Sequence, residues 1–197
     1  TTGEGGMLVT DREDVADRVR LMRLHGIDRD VWDRYTSASA GWAYAVVEAG
    51  YKYNMTDLAA AVGRVQLERA AELHRRRREI AAHYREALGE LPYLSLPADH
   101  PLHCYHLFIV ALDERQLTIN RDQFIEELRG AGIGTSVHFI PLHAMPYYQK
   151  LYGFTEHDFP VSWTRFLSSV SLPLYPGLSD AQVERVVEAV RAVGDRR

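Results

Sequence analysis

The chain has 197 residues, 46% hydrophobic and 25% charged, with a net charge of −4: enough for one large or two small domains with a core, and no electrostatic ground for nucleic acid or an anionic membrane as partner. No apolar run approaches the roughly 20 residues that span a bilayer, and nothing at the start resembles a signal peptide. A single cysteine, Cys104, excludes an internal disulfide, so a reducing, cytoplasmic setting is the simplest expectation.

Thr1-Thr2-Gly3 reads as the beginning of a fragment of something longer. Gly3, Gly5 and Gly6 then precede the apolar run Met7-Leu8-Val9, which predicts a turn followed by a buried strand. Because a strand rather than a helix follows the glycines, this is not the dinucleotide-binding fingerprint. Thr10-Asp11-Arg12-Glu13 has capping-box spacing, and Val15, Val19, Leu21 and Met22 recur at helical intervals. The helix is expected to end near His25-Gly26, where glycine takes the left-handed conformation. His25 reads first as a favourable cation or cap at that end.

From Ile27 to Ala49 the periodicity disappears, while Trp32, Tyr35, Trp42 and Tyr44 accumulate. So much apolar surface predicts a loop that packs on something. Gly50-Tyr51-Lys52-Tyr53-Asn54-Met55 follows, and Thr56 and Asp57 are good residues for a helix start. Apolar residues from Leu58 to Leu91 keep helical spacing until Pro92. One helix of that span would be roughly 50 Å long, so it bridges two domains or bends. Arg75-Arg76-Arg77-Arg78 within it reads as a solvated face whose stems cover apolar surface.

Beyond Pro101 a second pattern begins. Residues 105–112 predict an apolar strand, and Asn120 to Gln123 a cap that opens a helix ended by Gly130 and Gly132. Residues 133–140 predict another strand, closed by Pro141. A short aromatic segment carries Tyr147, Tyr148 and Tyr152. A helix follows over 161–167 and a short strand over 170–174. Ser179-Asp180-Ala181-Gln182 is a further capping box, opening a helix with Val183, Val186, Val187, Val190 and Val193 on its buried side. Strands interleaved with helices predict an α+β layer domain.

Few residues stand out for chemistry. His103-Cys104-Tyr105-His106 is metal-like only superficially, since His103 and Cys104 fall on opposite faces of a strand and no second cluster completes four ligands. Ser171 is not in a nucleophile-elbow pattern. His138, between Val137 and Phe139, reads by itself as a core or edge residue. Lys52 and Lys150 are the only lysines.

The order of motifs carries the reading further. Thr1-Thr2-Gly3-Glu4-Gly5-Gly6-Met7 followed by His25-Gly26 resembles the sugar aminotransferases of the DegT/DnrJ/EryC1/StrS family. So does Gly50 to Leu58 with Ala60-Ala61 and Gln66-Leu67. Gly132-Ile133-Gly134-Thr135 leading to His138 and Pro141-Leu142-His143 is similar to its small-domain substrate loop. Leu172 to Ser179 is similar to its closing strand and helix. The resemblance implies an α/β, fold-type I pyridoxal-phosphate enzyme. Residues 1–55 would be the tail of the large domain, 56–91 the interdomain helix and 92–197 the small α+β domain.

The resemblance further implies a cytoplasmic homodimer with shared active sites. It would move an amino group, usually from glutamate, onto a keto group of a nucleotide-linked sugar. The lysine that holds pyridoxal 5'-phosphate as a Schiff base would lie upstream of Thr1, so no catalytic residue is expected in this chain. Lys52 and Asn54 are implied as cofactor-binding residues, reaching the phosphate of the neighbouring subunit. Where many members have an asparagine and an arginine, this sequence keeps one amide and one cation. His138, Tyr51 and His25 are the substrate-binding candidates. Two other readings stay open: a dehydratase relative with histidine in place of the lysine, and a non-catalytic assembly module.

Overall fold

The computed structural model describes residues 1–28 and 44–195, so Trp32, Tyr35 and Trp42 of the aromatic loop lie outside the described residues. The chain separates into two units, Thr1–Ala70 and Ala71–Arg197.

In the first unit, α1 (Glu13–Met22) begins two residues later than the sequence spacing predicts, with Arg12 rather than Thr10 at its N-cap. The Thr10 hydroxyl accepts the Arg12 N–H at 3.1 Å, closing a local turn, and Arg12 holds the N-cap position without a side-chain cap. The helix ends at Met22, and both His25 (φ 60°) and Gly26 (φ 67°) are left-handed. Thr56 caps α2 (Asp57–Glu68) as expected, its hydroxyl accepting the Ala59 N–H at 3.2 Å. Met7, Leu8 and Val9 form no strand. They are 82%, 54% and 90% exposed, and no strand pairs with them among the described residues. No apolar side chain of this unit's described residues is buried.

The single long helix also gives way. The run is divided at Arg69 into α2 and α3 (Ala70–Leu88), and the Arg69 N–H bond to Val65 is stretched to 3.3 Å.

The second unit holds the core. Strand β2 (Phe108–Leu112) lies between β1 (Leu94–Ser95) and β3 (Ser169–Leu172), antiparallel to both. Alternation sends Phe108, Val110 and Leu112 to one face. Register sets Phe108 opposite Leu172 and Val110 opposite Val170, which makes that face continuously apolar. Ile109 opposite Ser171 and Ala111 opposite Ser169 lie on the other face.

Helices cover the apolar face. Ile80, Tyr84 and Leu88 come from α3, and Phe124 and Leu128 from α4 (Arg121–Gly130). The five predicted valines come from α7 (Asp180–Gly194) and are all buried. Each such side chain contributes about 1.5–3 kcal/mol by leaving water. The capping boxes at Asn120/Gln123 and Ser179/Gln182 are both formed. At the far end of α7, the Tyr93 ring fills the space where Gly194 would carry a Cβ, 2.0 Å from its Cζ.

Two predicted strands are cut back, each for a visible reason. Residues 105–107 leave the ladder because Arg77 takes the carbonyls of Tyr105 and His106, at 3.2 and 3.3 Å. The segment 133–140 is not a strand. Its first N–H, of Ile133, goes back to Leu128 at the end of α4, and only Ser136 bridges to β3. The aromatic segment is a helix, α5 (Pro146–Tyr152), stopped by left-handed Gly153. The helix predicted over 161–167 is α6 (Pro160–Ser168).

The arginine run is likewise not a solvated face. Arg75 alone of the four is exposed, and it pairs with Glu79 at 2.6 Å. Arg76 donates to the Leu178 carbonyl at 2.6 Å, Arg77 also to that of Leu174 at 3.2 Å, and Arg78 to that of Pro101 at 3.0 Å. A planar guanidinium with five donors suits carbonyls that loops leave without ladder partners.

Candidate functional site

Chemistry-bearing residues gather in two places, one in each unit. In the first unit two glycines decide the geometry. A Cβ on Gly26 would meet the Glu48 carbonyl oxygen at 2.0 Å, and one on Gly50 would meet the Gly26 nitrogen at 2.0 Å. Only glycine permits this crossing. It clamps 50–54 alongside the end of α1. The Tyr51 N–H donates to Met22 at 2.7 Å, the His25 N–H to Tyr51 at 2.8 Å, and the Tyr53 N–H to Arg23 at 2.8 Å. Leu24 and Lys52 form an antiparallel bridge.

Period-two alternation then sorts the side chains. Tyr51 and Tyr53 share one side and stack, ring centroids 5.0 Å apart and planes 3° from parallel. Lys52 and Asn54 share the other, and the Lys52 ammonium donates to the Asn54 amide oxygen. That bond uses one of three ammonium protons and leaves the Asn54 NH2 free to donate. The pair is therefore a set of donors with one positive charge and no acidic partner among the described residues, chemistry that fits a phosphate dianion. His25 joins the assembly through its backbone, with its side chain exposed.

In the second unit, His138 lines an open groove of about 590 Å3 together with Phe139, Ile140, Met145, Phe166 and Arg165. Its Nδ1 lies 2.7 Å from the Ser171 hydroxyl, and its Nε2 has no partner among the described residues. Arg165 is exposed and carries no ion pair or side-chain hydrogen bond among the described residues. A mostly apolar trough with a cation and an imidazole suits a ligand that combines a flat or apolar body with an anion. His143 has a different place. It is buried against Phe159 and Trp163, with ring centroids 4.8 and 6.3 Å away, and its Nε2 has no partner among the described residues.

The fold thus brings Lys52, Asn54, Tyr51 and His25 together, while His138 stands in the other unit. Arg165 and Ser171 were not singled out as site residues by sequence. The readable signal for Ser171 was the alternation Val170-Ser171-Leu172, which puts a hydroxyl opposite the core face. His103 proves structural: its Nδ1 accepts the Tyr105 N–H at 2.8 Å and its ring stacks on Tyr105. Among the described residues no group of three or more His, Cys, Asp or Glu is arranged to hold a metal ion, and no helix is long and apolar enough to cross a membrane.

Residues 1–191 match the model of the DegT/DnrJ/EryC1/StrS aminotransferase family. The chain is 46% identical, over 98% of its length and 50% of the relative's, to the spore coat polysaccharide biosynthesis protein SpsC of Bacillus subtilis. It spans about half the length of the curated relatives it matches. Among solved structures it is similar to the aminotransferase TlmJ from Streptoalloteichus hindustanus, with a TM-score of 0.78 and 31% identity, over 97% of this chain and 48% of that one. It is also similar to Spr1654 from Streptococcus pneumoniae, solved in apo, PLP and PMP forms. For the PMP form the TM-score is 0.82 at 29% identity, over 97% of this chain and 47% of that one.

Proposed function

The chain belongs to the DegT/DnrJ/EryC1/StrS aminotransferase family, and from that premise we propose that it is the C-terminal part of a pyridoxal-phosphate enzyme that aminates a nucleotide-linked keto sugar, with glutamate as amino donor. Residues 1–55 belong to the tail of the cofactor-binding domain, 56–91 to the connecting helical run and 92–197 to the small domain. When bound, pyridoxal phosphate supplies the electron sink for amino transfer. This chain's residues bind and orient.

The observation that carries the reading is the paired presentation of Lys52 and Asn54 on one side of a clamped, extended segment. Together they offer one charge and several donors to the cofactor phosphate, across the interface of a homodimer. Tyr51 and His25 flank that pair. In the small domain, His138 and Arg165 line a groove able to take the sugar and the diphosphate of the substrate.

In the intact dimer, Lys52→Met is expected to weaken cofactor binding about tenfold or more, the scale of a charge-assisted hydrogen bond. Titration of cofactor absorbance measures it. Unchanged affinity in an intact dimer would instead favour a purely assembling role. The 197 residues alone are expected to show no turnover with glutamate and nucleotide-linked keto sugars, because neither lysine serves as the cofactor's covalent anchor.

A further inference from the structure

Ser171 sits on β3, 5% exposed, and is held from both directions. Its N–H donates to the Ser136 carbonyl at 2.8 Å, and its own carbonyl accepts the Ser136 N–H at 3.2 Å. Its partner across the sheet is Ile109. The hydroxyl therefore hangs from a rigid backbone on the face away from the core, and its one partner among the described residues is His138 Nδ1 at 2.7 Å.

Two arrangements of that bond are conceivable, and they differ in what is left over. If Nδ1–H donated to Oγ, the buried hydroxyl proton would have no acceptor. If the hydroxyl donates to Nδ1, the buried hydroxyl proton has its acceptor and the imidazole carries its own proton on Nε2, left for the open groove that His138 lines. Buried donors find acceptors, so the second arrangement is favoured. The other ring nitrogen of a histidine is set by the bond the first one makes.

We propose that Ser171 is a positioning residue that holds His138 in the Nε2–H tautomer, so that the imidazole presents a hydrogen-bond donor, not an acceptor, to a substrate oxygen in the groove. This rests on His138 being a substrate contact, as read above. The substrate atom it faces is then an acceptor: a ring hydroxyl or keto oxygen, or a phosphate oxygen. The bond restricts the ring to one orientation as well, which spares the ordering cost when substrate arrives.

The test uses the intact protein labelled with 15N-histidine. In the wild type, His138 is expected to show an unprotonated Nδ1 and a protonated Nε2. Ser171→Ala and the near-isosteric, poorly donating Ser171→Cys are expected to move those shifts toward tautomer averaging and to raise the sugar-nucleotide KM about fivefold, the scale of one net hydrogen bond, with kcat less affected. Ser171→Thr is expected to restore both. A protonated Nδ1 in the wild type, or shifts that stay put in both hydroxyl-free variants, overturns the proposal. If the shifts move but His138→Ala leaves KM unchanged, the substrate role of His138 fails, and with it any part for Ser171 in the reaction.

Discussion

A Cβ on Gly50 would lie 2.0 Å from the backbone nitrogen of Gly26. The two segments cross at backbone contact, and everything that Lys52 and Asn54 present depends on that crossing. Gly50→Ala is therefore expected to destabilise the protein by about 3 kcal/mol through overpacking. Gly26→Ala is expected to cost more, because Gly26 is also left-handed at φ 67° and an alanine there adds about 1–2 kcal/mol. Denaturant unfolding of the intact protein measures both. A cost below 1 kcal/mol for Gly50→Ala would mean that the clamp yields easily.

The arginine run separates into two behaviours that mutagenesis can resolve. Arg77 donates to the carbonyls of Tyr105, His106 and Leu174 and is half-buried, so Arg77→Ala is expected to cost about 2 kcal/mol. Arg75 is exposed and among the described residues pairs only with Glu79, so Arg75→Ala is expected to stay within about 0.5 kcal/mol. Equal costs for the two would restore the view of the run as one solvated face.

Asp158 provides a pH test. The Thr155 N–H at 2.6 Å, and then its hydroxyl at 2.9 Å, hold the Asp158 carboxyl below the usual carboxylate range, and His143 and His157 add in the same direction. With the folded value depressed, the stabilisation is complete above the unfolded value of about 3.9 and is lost as pH falls through the folded one. A carboxyl titration followed by 13C NMR is expected to place the Asp158 midpoint below about 3.9. Thr155→Val should raise that midpoint without restoring it, since the N–H remains. A midpoint at or above the ordinary value in the wild type would contradict the arrangement.

Where the sequence pattern was sound, the interactions behind it were short in range. Asn120 and Ser179 cap helices three residues on, and both boxes form. The valines of α7 point where a 3.6-residue period sends them. Tyr51 and Tyr53 part from Lys52 and Asn54 by simple alternation. Thr10 had the same spacing as the working caps and failed, because its hydroxyl closed a two-residue turn onto Arg12 instead. Competing local bonds of equal length cannot be ranked from residue types alone.

By itself the sequence determined the family, the existence of the helices it predicted, the core valines and the two capping boxes that form, since each depends on residues near one another in the chain. Tertiary structure decided the rest. Arg76, Arg77 and Arg78 became carbonyl donors because loops 23 to 102 residues away ended beside them. Residues 105–107 lost their ladder to Arg77, and residues 133–140 lost theirs to a helix end. His138 met a hydroxyl 33 residues later in the chain, through a bridge between Ser136 and Ser171 that no periodicity announces. Hydrogen-bond partners are assigned by proximity after the core has formed, so a residue's type states what it can donate or accept and only the fold states to whom.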